Sequence, residues 1–256
     1  MADFTRYIAL GDSVSIDLYP ALDAGEIDVA VALERDASVG RVAPIGAASL
    51  LYQNDDARWP DFAGDDLLSH CPGVELHNLA TDGATIGEVF GEQVPSVHAG
   101  EDPVLVTLTI GGNDLLSAYG NRPRHALLER IERDIAEAYD FLLDMLRGQL
   151  PNGTFLIATV YDPSDRSGRI PGVYDDAGPL PLDILDRFND HIRTLASGTP
   201  DVLLADVYAH FLGHGVSAAE ADRWYWRRSL IEPNQRGASE VRAVWLDTLR
   251  AAAVLE

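Results

Sequence analysis

Short apolar runs alternate with longer amphipathic stretches along the chain. The runs are RYIAL (6–10), VELHNL (74–79), PVLVTLTI (103–110), TFLIAT (154–159) and VLLADV (202–207). Runs this short and this apolar predict strands of a parallel sheet buried on both faces. Residues 125–150 place apolar side chains at three- and four-residue spacing, with Pro123 before them and Pro151 after, which predicts a helix. Residues 183–196 and 237–254 repeat that pattern. Strands alternating with helices imply right-handed crossovers, hence an α/β fold built as a three-layer α/β/α sandwich. The 256 residues suit a single domain spanning 1–256.

Two segments break the alternation. Residues 17–60 are longer than a crossover needs and are expected to shape a substrate pocket. Residues 162–181 are rich in Gly, Pro and Asp and read as a long loop, either a lid or binding loop or plain decoration. The chain has no internal repeat and no low-complexity tract.

Composition narrows the function. There are 41 acidic residues against 19 basic ones, a formal charge of −22. A chain so charged repels phosphate backbones and anionic lipid headgroups, so nucleic acid is not an expected partner. It contains no lysine, which excludes a lysine base or a Schiff base. With Asp in excess over Glu, the charge predicts salt adaptation; a genome that writes arginine for lysine predicts the same arginines without it. Cys71 is the sole cysteine, so neither an intrachain disulfide nor a thiolate cluster can form, and its setting in SHCPG reads as a packed residue at a helix end. The N-terminal stretch MADFTRYIAL has no signal-peptide pattern, and no apolar run reaches the length of a membrane span, so a cytoplasmic location is expected.

Three predicted strands end in sequences that can carry chemistry: GDSVS (11–15), NLATDGATIGEV (78–89) and IGGNDLL (110–116). In an open α/β sheet, ligands bind at the carboxyl ends of the strands. Gly-Asp-Ser alone is an ordinary turn, and Gly-Gly-Asn-Asp alone is an ordinary helix entry. Together they supply the parts of an acyl-transfer site. Ser13 is placed on a strand-to-helix turn at a helix N-terminus, where a developing anion is favoured. The backbone N–H groups of Ser13 and Gly83 and the side-chain amide of Asn113 can converge on one oxygen as an oxyanion hole.

These blocks resemble those of the SGNH, or GDSL-type, hydrolases. ALGDS matches the block that carries the nucleophile, Ser13; NLATDGAT matches the block that carries Gly83; GGND matches the block that carries Asn113. The resemblance implies a flavodoxin-like sandwich and an esterase, lipase, thioesterase or carbohydrate deacetylase. It implies a small-molecule ester substrate and no cofactor. The fourth family block, Asp-x-x-His-Pro, departs from the pattern. Residues 229–237 read SLIEPNQRG, with Glu232 at the histidine position and Ser229 at the aspartate position, while Pro233, Asn234 and Gly237 fit.

Three readings of the base stand side by side. Glu232 can serve if burial lifts its pKa, with Ser229 steadying it. His210 or His214, just beyond the last predicted strand, can substitute. Alternatively Arg227 or Arg228 pairs with Glu232, and the chain is a silent binding protein with the family fold. Asp12 and Asp114 are expected to hold loops through backbone N–H groups. The remaining histidines lack metal-ligand spacing, and no metal is expected. A nucleotide-binding flavodoxin-like protein is disfavoured, since no strand is followed by GxGxxG or GxxxxGK[ST]. The leading expectation is a serine hydrolase of small carboxylic esters.

Overall fold

The strands β1 (Arg6–Gly11), β2 (Glu75–Asn78), β3 (Val104–Thr109), β4 (Gly153–Ala158) and β5 (Val202–Ala205) pair as one parallel sheet in the order β2-β1-β3-β4-β5. They do so in a computed structural model that describes residues 3–27, 42–121 and 124–255. The principal helices are α1 (Leu18–Ala24), α2 (Ala47–Tyr52), α3 (Leu67–His70), α4 (Gly112–Gly120), α5 (His125–Gln149), α6 (Leu182–Gly198), α7 (Val207–Phe211) and α8 (Gln235–Ala251). A small antiparallel ribbon, β6 (Tyr225–Trp226) with β7 (Ser229–Pro233), precedes α8. No described helix is long and apolar enough to cross a membrane.

Side-chain alternation splits the core in two. Ile8, Leu10, Val104 and Val106 point to one face, where Tyr139, Leu142 and Leu146 of α5 and Phe188 and Ile192 of α6 cover them. Tyr7, Ala9, Leu105 and Leu156 point to the other, under Ala47, Ala48 and Leu51 of α2 and Val241, Trp245 and Leu249 of α8. Fully burying one such leucine contributes about 1.5–3 kcal/mol. Deleting one, as in Leu142→Ala, costs about 2–5 kcal/mol because a cavity is left.

All six residues of β3 are buried, as the sequence predicts for a central strand. β2 differs from that expectation: of its four residues only Leu76 is half-buried, because β2 is the edge of the sheet. Cys71 is buried at the end of α3. Strand order reverses direction between β1 and β3, and this switch point places their carboxyl ends side by side.

Both irregular segments are tied down. In 17–60, the Asp17 carboxylate accepts hydrogen bonds from Gly46 N–H (2.7 Å) and the Ser49 hydroxyl (3.0 Å), and residues 28–41 lie outside the described residues. In 162–181, Asp162 accepts from the backbone N–H of Ser164 (2.9 Å) and Arg166 (2.8 Å), while the Arg166 guanidinium pairs with Asp186 on α6 (2.9 Å).

Candidate active site

β1 must end in glycine. Gly11 has φ +125°, and a Cβ there would lie 2.0 Å from the Thr109 carbonyl oxygen of β3. β2 pairs with β1 only as far as Ala9, opposite Asn78. The side chain of Gln93 takes over beyond that point: its Oε1 accepts from Gly11 N–H and its Nε2 donates to Gly11 C=O, both at 2.8 Å. No signal in the sequence marks Gln93 for this part. The chain then turns, with Val14 N–H donating to the Asp12 carboxyl (3.1 Å) and Ser15 N–H to the Asp12 carbonyl (3.2 Å).

Ser13 sits buried inside this turn, and α1 begins only at Leu18. That corrects the expectation of a nucleophile on a helix N-terminus. Asp12 satisfies the local N–H groups itself, and such side-chain bonding competes with helix formation. The helix whose first turn faces the site is α4, through Gly112 and Asn113. Gly111 allows that entry with φ +109°, its missing Cβ leaving room for the Phe188 ring.

Two of the expected oxyanion donors, Gly83 and Asn113, are linked through α4. Asn113 donates one amide hydrogen to the Ala84 carbonyl (3.0 Å), which leaves its second N–H for another acceptor. The Asp114 carboxylate receives Ile86 N–H at 3.2 and 3.3 Å. Gly83, at φ +72°, therefore lies in a loop clamped from α4 by two neighbouring side chains. Asp12 and Asp114 each accept a backbone N–H, from Val14 and Ile86 respectively. From the other side, the Tyr19 hydroxyl of α1 donates to both oxygens of Asp82 (3.0 and 3.1 Å), a link the sequence reading missed.

Glu232 on β7 and Ser13 line one cavity, and the Ser13 hydroxyl is near enough to favour the charged carboxylate, although no described hydrogen bond joins the pair. Burial pushes the Glu232 pKa up to about 8; the Ser13 hydroxyl pulls it down, while the charges of Asp82 and Asp12 add to the rise. One carboxyl oxygen, Oε2, has no described partner. Asp12 is also lifted by burial, to about 7. Arg227 and Arg228 are exposed, and no described ion pair joins either to Glu232. No described hydrogen bond joins Ser229 to Glu232, and the ribbon between them is irregular, with Trp226 paired to Ser229 and Tyr225 to Pro233. The Tyr161 hydroxyl instead donates to the Ile231 carbonyl (2.6 Å), and the Asn234 side chain caps α8 at Gly237 N–H (2.8 Å) while donating to the Arg223 carbonyl (2.8 Å). The Asn-x-x-Gly spacing signals the cap; nothing in the sequence signals Tyr161.

The structure does not bring His210 and His214 to Ser13. His210 Nε2 is 2.9 Å from the Glu240 carboxylate, and its ring leans on Trp224 at 5.0 Å. His214 lies flat on Trp224 at 3.6 Å, with Nδ1 3.0 Å from the Asp222 carbonyl. Stacking on one indole fixes both imidazoles in a separate corner, and neither lines the cavity at Ser13.

That cavity has a volume of about 130 Å³. It runs from Ser13 and Glu232 between α4, α5 and α6, walled by aliphatic side chains such as Leu115, Leu128, Ile131 and Ile184. The 162–181 loop closes it with Pro163, Ile170, Leu180 and Pro181, so this loop is a wall rather than decoration. The described residues of 17–60 do not line it. They pack on the opposite face of the sheet, where α2 joins the core around Tyr7 and Leu105. Beyond Asn113 an open cleft runs past Gly83, Thr85, Ser117 and Tyr174.

Comparison with known proteins agrees with this layout. The family described as "GDSL-like Lipase/Acylhydrolase family" matches residues 39–239, a stretch that starts past Ser13 and contains Gly83, Asn113 and Glu232. No curated protein matches the chain. Among solved structures, an extracellular lipase from Streptomyces rimosus is similar over 97% of this chain and 99% of its own, at 19% identity and a TM-score of 0.56. Phospholipase A1 from Streptomyces albidoflavus is similar over 97% of this chain and 100% of its own, at 18% identity and a TM-score of 0.56. An acetylxylan esterase from Geobacillus stearothermophilus covers 97% and 96%, at 15% identity and a TM-score of 0.60. At these identities the three share the fold.

Proposed function

The chain belongs to the GDSL-like lipase/acylhydrolase family, and on that premise we propose that it hydrolyses esters of small carboxylic acids through a Ser13 acyl-enzyme, with Glu232 as general base. The observation that carries this reading is that Ser13 and Glu232, both buried, line the same cavity, with no described cation paired to the carboxyl. In the first half-reaction ionised Glu232 takes the hydroxyl proton as Ser13 Oγ bonds to the ester carbonyl carbon. The carbonyl oxygen becomes an oxyanion facing the N–H groups of Ser13 and Gly83 and the free Asn113 N–H. The bond to the alcohol oxygen then breaks, and that oxygen leaves with the proton from Glu232. In the second half-reaction water gives its proton to Glu232 and its oxygen to the acyl carbon. The Oγ–acyl bond breaks, the proton returns to Ser13, and the carboxylic acid departs.

Hydrolysis of p-nitrophenyl acetate tests this, with Ser13→Ala and Glu232→Gln as controls and a fluorophosphonate probe for labelling. Activity lost in both variants and labelling confined to Ser13 support the reading. Activity that survives Ser13→Ala overturns it. One observation favours a second reading. With its pKa near 8, Glu232 is mostly protonated at pH 7, so at neutral pH the chain would be a weak or silent ester-binding protein. Absence of turnover at pH 9 as well as pH 7 would favour that alternative.

A further inference from the structure

The wall of the cavity contributed by α5 carries a group the proposed chemistry does not use. Glu132 lines the cavity and is 6% exposed, among Leu128, Ile131 and Ile184. No described residue hydrogen-bonds its carboxyl. The nearby cation, Arg187, is already held by Glu129 at 3.0 Å and lies 3.6 Å from Asp183. Its oxygens are not among the sealed polar atoms of the core, so a ligand that displaces solvent from them must supply a donor in its place. An apolar ligand alone does not explain a carboxyl at this position, because pressing a methyl group against it removes its remaining water and gives nothing back.

We propose that the cavity takes an acyl chain whose far end bears a hydrogen-bond donor, a terminal hydroxyl, and that Glu132 accepts it. This rests on the reading that the cavity holds the acyl part of an ester attacked by Ser13. The aliphatic walls match the methylene stem and Glu132 matches the terminus. The cavity, of about 130 Å³, has room for a short acyl chain. Chains of five to seven carbons bracket the length to examine. A site built to bond a hydroxyl discriminates against the analogue that lacks it far more strongly than an apolar site discriminates by one methylene. Glu132 is thus a specificity residue, separate from the proposed proton transfer at Glu232.

Two measurements test the proposal, and the first does not depend on catalysis. Titration calorimetry compares neutral pairs: pentanamide, hexanamide and heptanamide against their ω-hydroxy counterparts. Wild-type protein should bind the hydroxylated partner at least tenfold more tightly at one or more lengths. Glu132→Leu should abolish or reverse the preference, and Glu132→Gln, which keeps an acceptor oxygen, should retain part of it. Fluorophosphonate labelling and the melting temperature show whether each variant is folded. The second measurement is the ratio of kcat/KM for the matching methyl esters, which should follow the binding ratio. Equal or weaker binding of every hydroxylated amide overturns the proposal, as does a preference undiminished in Glu132→Leu. A protein that shows the binding preference but hydrolyses neither these esters nor p-nitrophenyl acetate keeps this proposal and loses the catalytic one.

Discussion

Glu232 and His210 stand at the same carboxyl edge of the sheet, in opposite surroundings. Glu232 is buried beside Ser13 with a bare carboxyl oxygen and a pKa lifted to about 8. His210 is part-exposed, is bonded to Glu240 and leans on Trp224. The imidazole is the better base in free solution, yet it is held where it meets no nucleophile. The carboxylate is the poorer base in solution, and burial raises its proton affinity past that of free histidine. Placement and desolvation, more than residue type, separate the proposed base from the bystander.

The largest test of that contrast is mutational. Glu232→Gln should lower kcat/KM for p-nitrophenyl acetate by about 10²–10⁴, the usual range for removing a general base. His210→Ala and His214→Ala should change it by no more than about twofold. A collapse of activity in either histidine variant would exchange the roles of the two corners. Asn113→Ala comes next, with an expected loss of about 10²–10³ in kcat if its free N–H meets the oxyanion. Unchanged turnover would reduce Asn113 to its bond with Ala84.

A pH profile sharpens the comparison further. The base acts when deprotonated, so kcat/KM should rise with pH and level off above about 8, following Glu232. A rise centred near 6.5 would instead point to an ordinary histidine.

Stability should move in the opposite direction. Folded Glu232 keeps its proton up to about pH 8, whereas in the unfolded chain it loses it near 4.3. Over that window the native state binds more protons, so the contribution of Glu232 to stability is present at low pH and is lost as pH rises. Glu232→Gln should therefore melt higher than wild type at pH 9, by up to about 5 kcal/mol of stability, with little difference at pH 4. Thermal melts at the two pH values read this directly. The exposed His210–Glu240 pair should be worth no more than about 1 kcal/mol when either partner is removed.

Salt has the smallest expected effect. Molar KCl should screen repulsion among the surface carboxylates and raise the melting temperature by a few degrees while leaving the buried Ser13–Glu232 pair alone. Equal melting temperatures in low and high salt would remove salt adaptation from the account of the −22 charge.

Much of this layout is legible in the sequence because local rules govern it. The five runs of β1 to β5 and the helices α5, α6 and α8 stand within a few residues of their predicted limits, since buried periodicity sets them. Gly11, Gly83 and Asn113 are readable from motifs, whereas Glu232 stands where the motif has histidine, so the motif alone leaves the base open. What escapes the sequence depends on distant neighbours. The exposure of β2 follows from sheet order, which periodicity does not encode. Gln93 and Tyr161 act on backbone atoms, and Tyr19 on the Asp82 carboxylate, tens of residues away. The described part of 17–60 packs on the face of the sheet opposite the cavity while 162–181 lines it, and length alone does not choose a face. Ser13 misses its expected helix because Asp12 captures the N–H groups that would have started it.

The hydrogen bonds of Asn234 and Tyr161 fasten the short ribbon carrying Glu232 to α8, Arg223 and the start of the 162–181 loop. The cavity walls hang mainly from α4, α5 and α6. The parts that would move a proton and the walls that would measure a substrate therefore meet along one seam, at Ser13, Tyr161, Ile231 and Glu232. Substitutions at positions 128–132 should combine nearly additively with substitutions at positions 229–230, away from that seam. A protein engineer could retune which molecule enters while leaving the proposed proton-transfer pair in place.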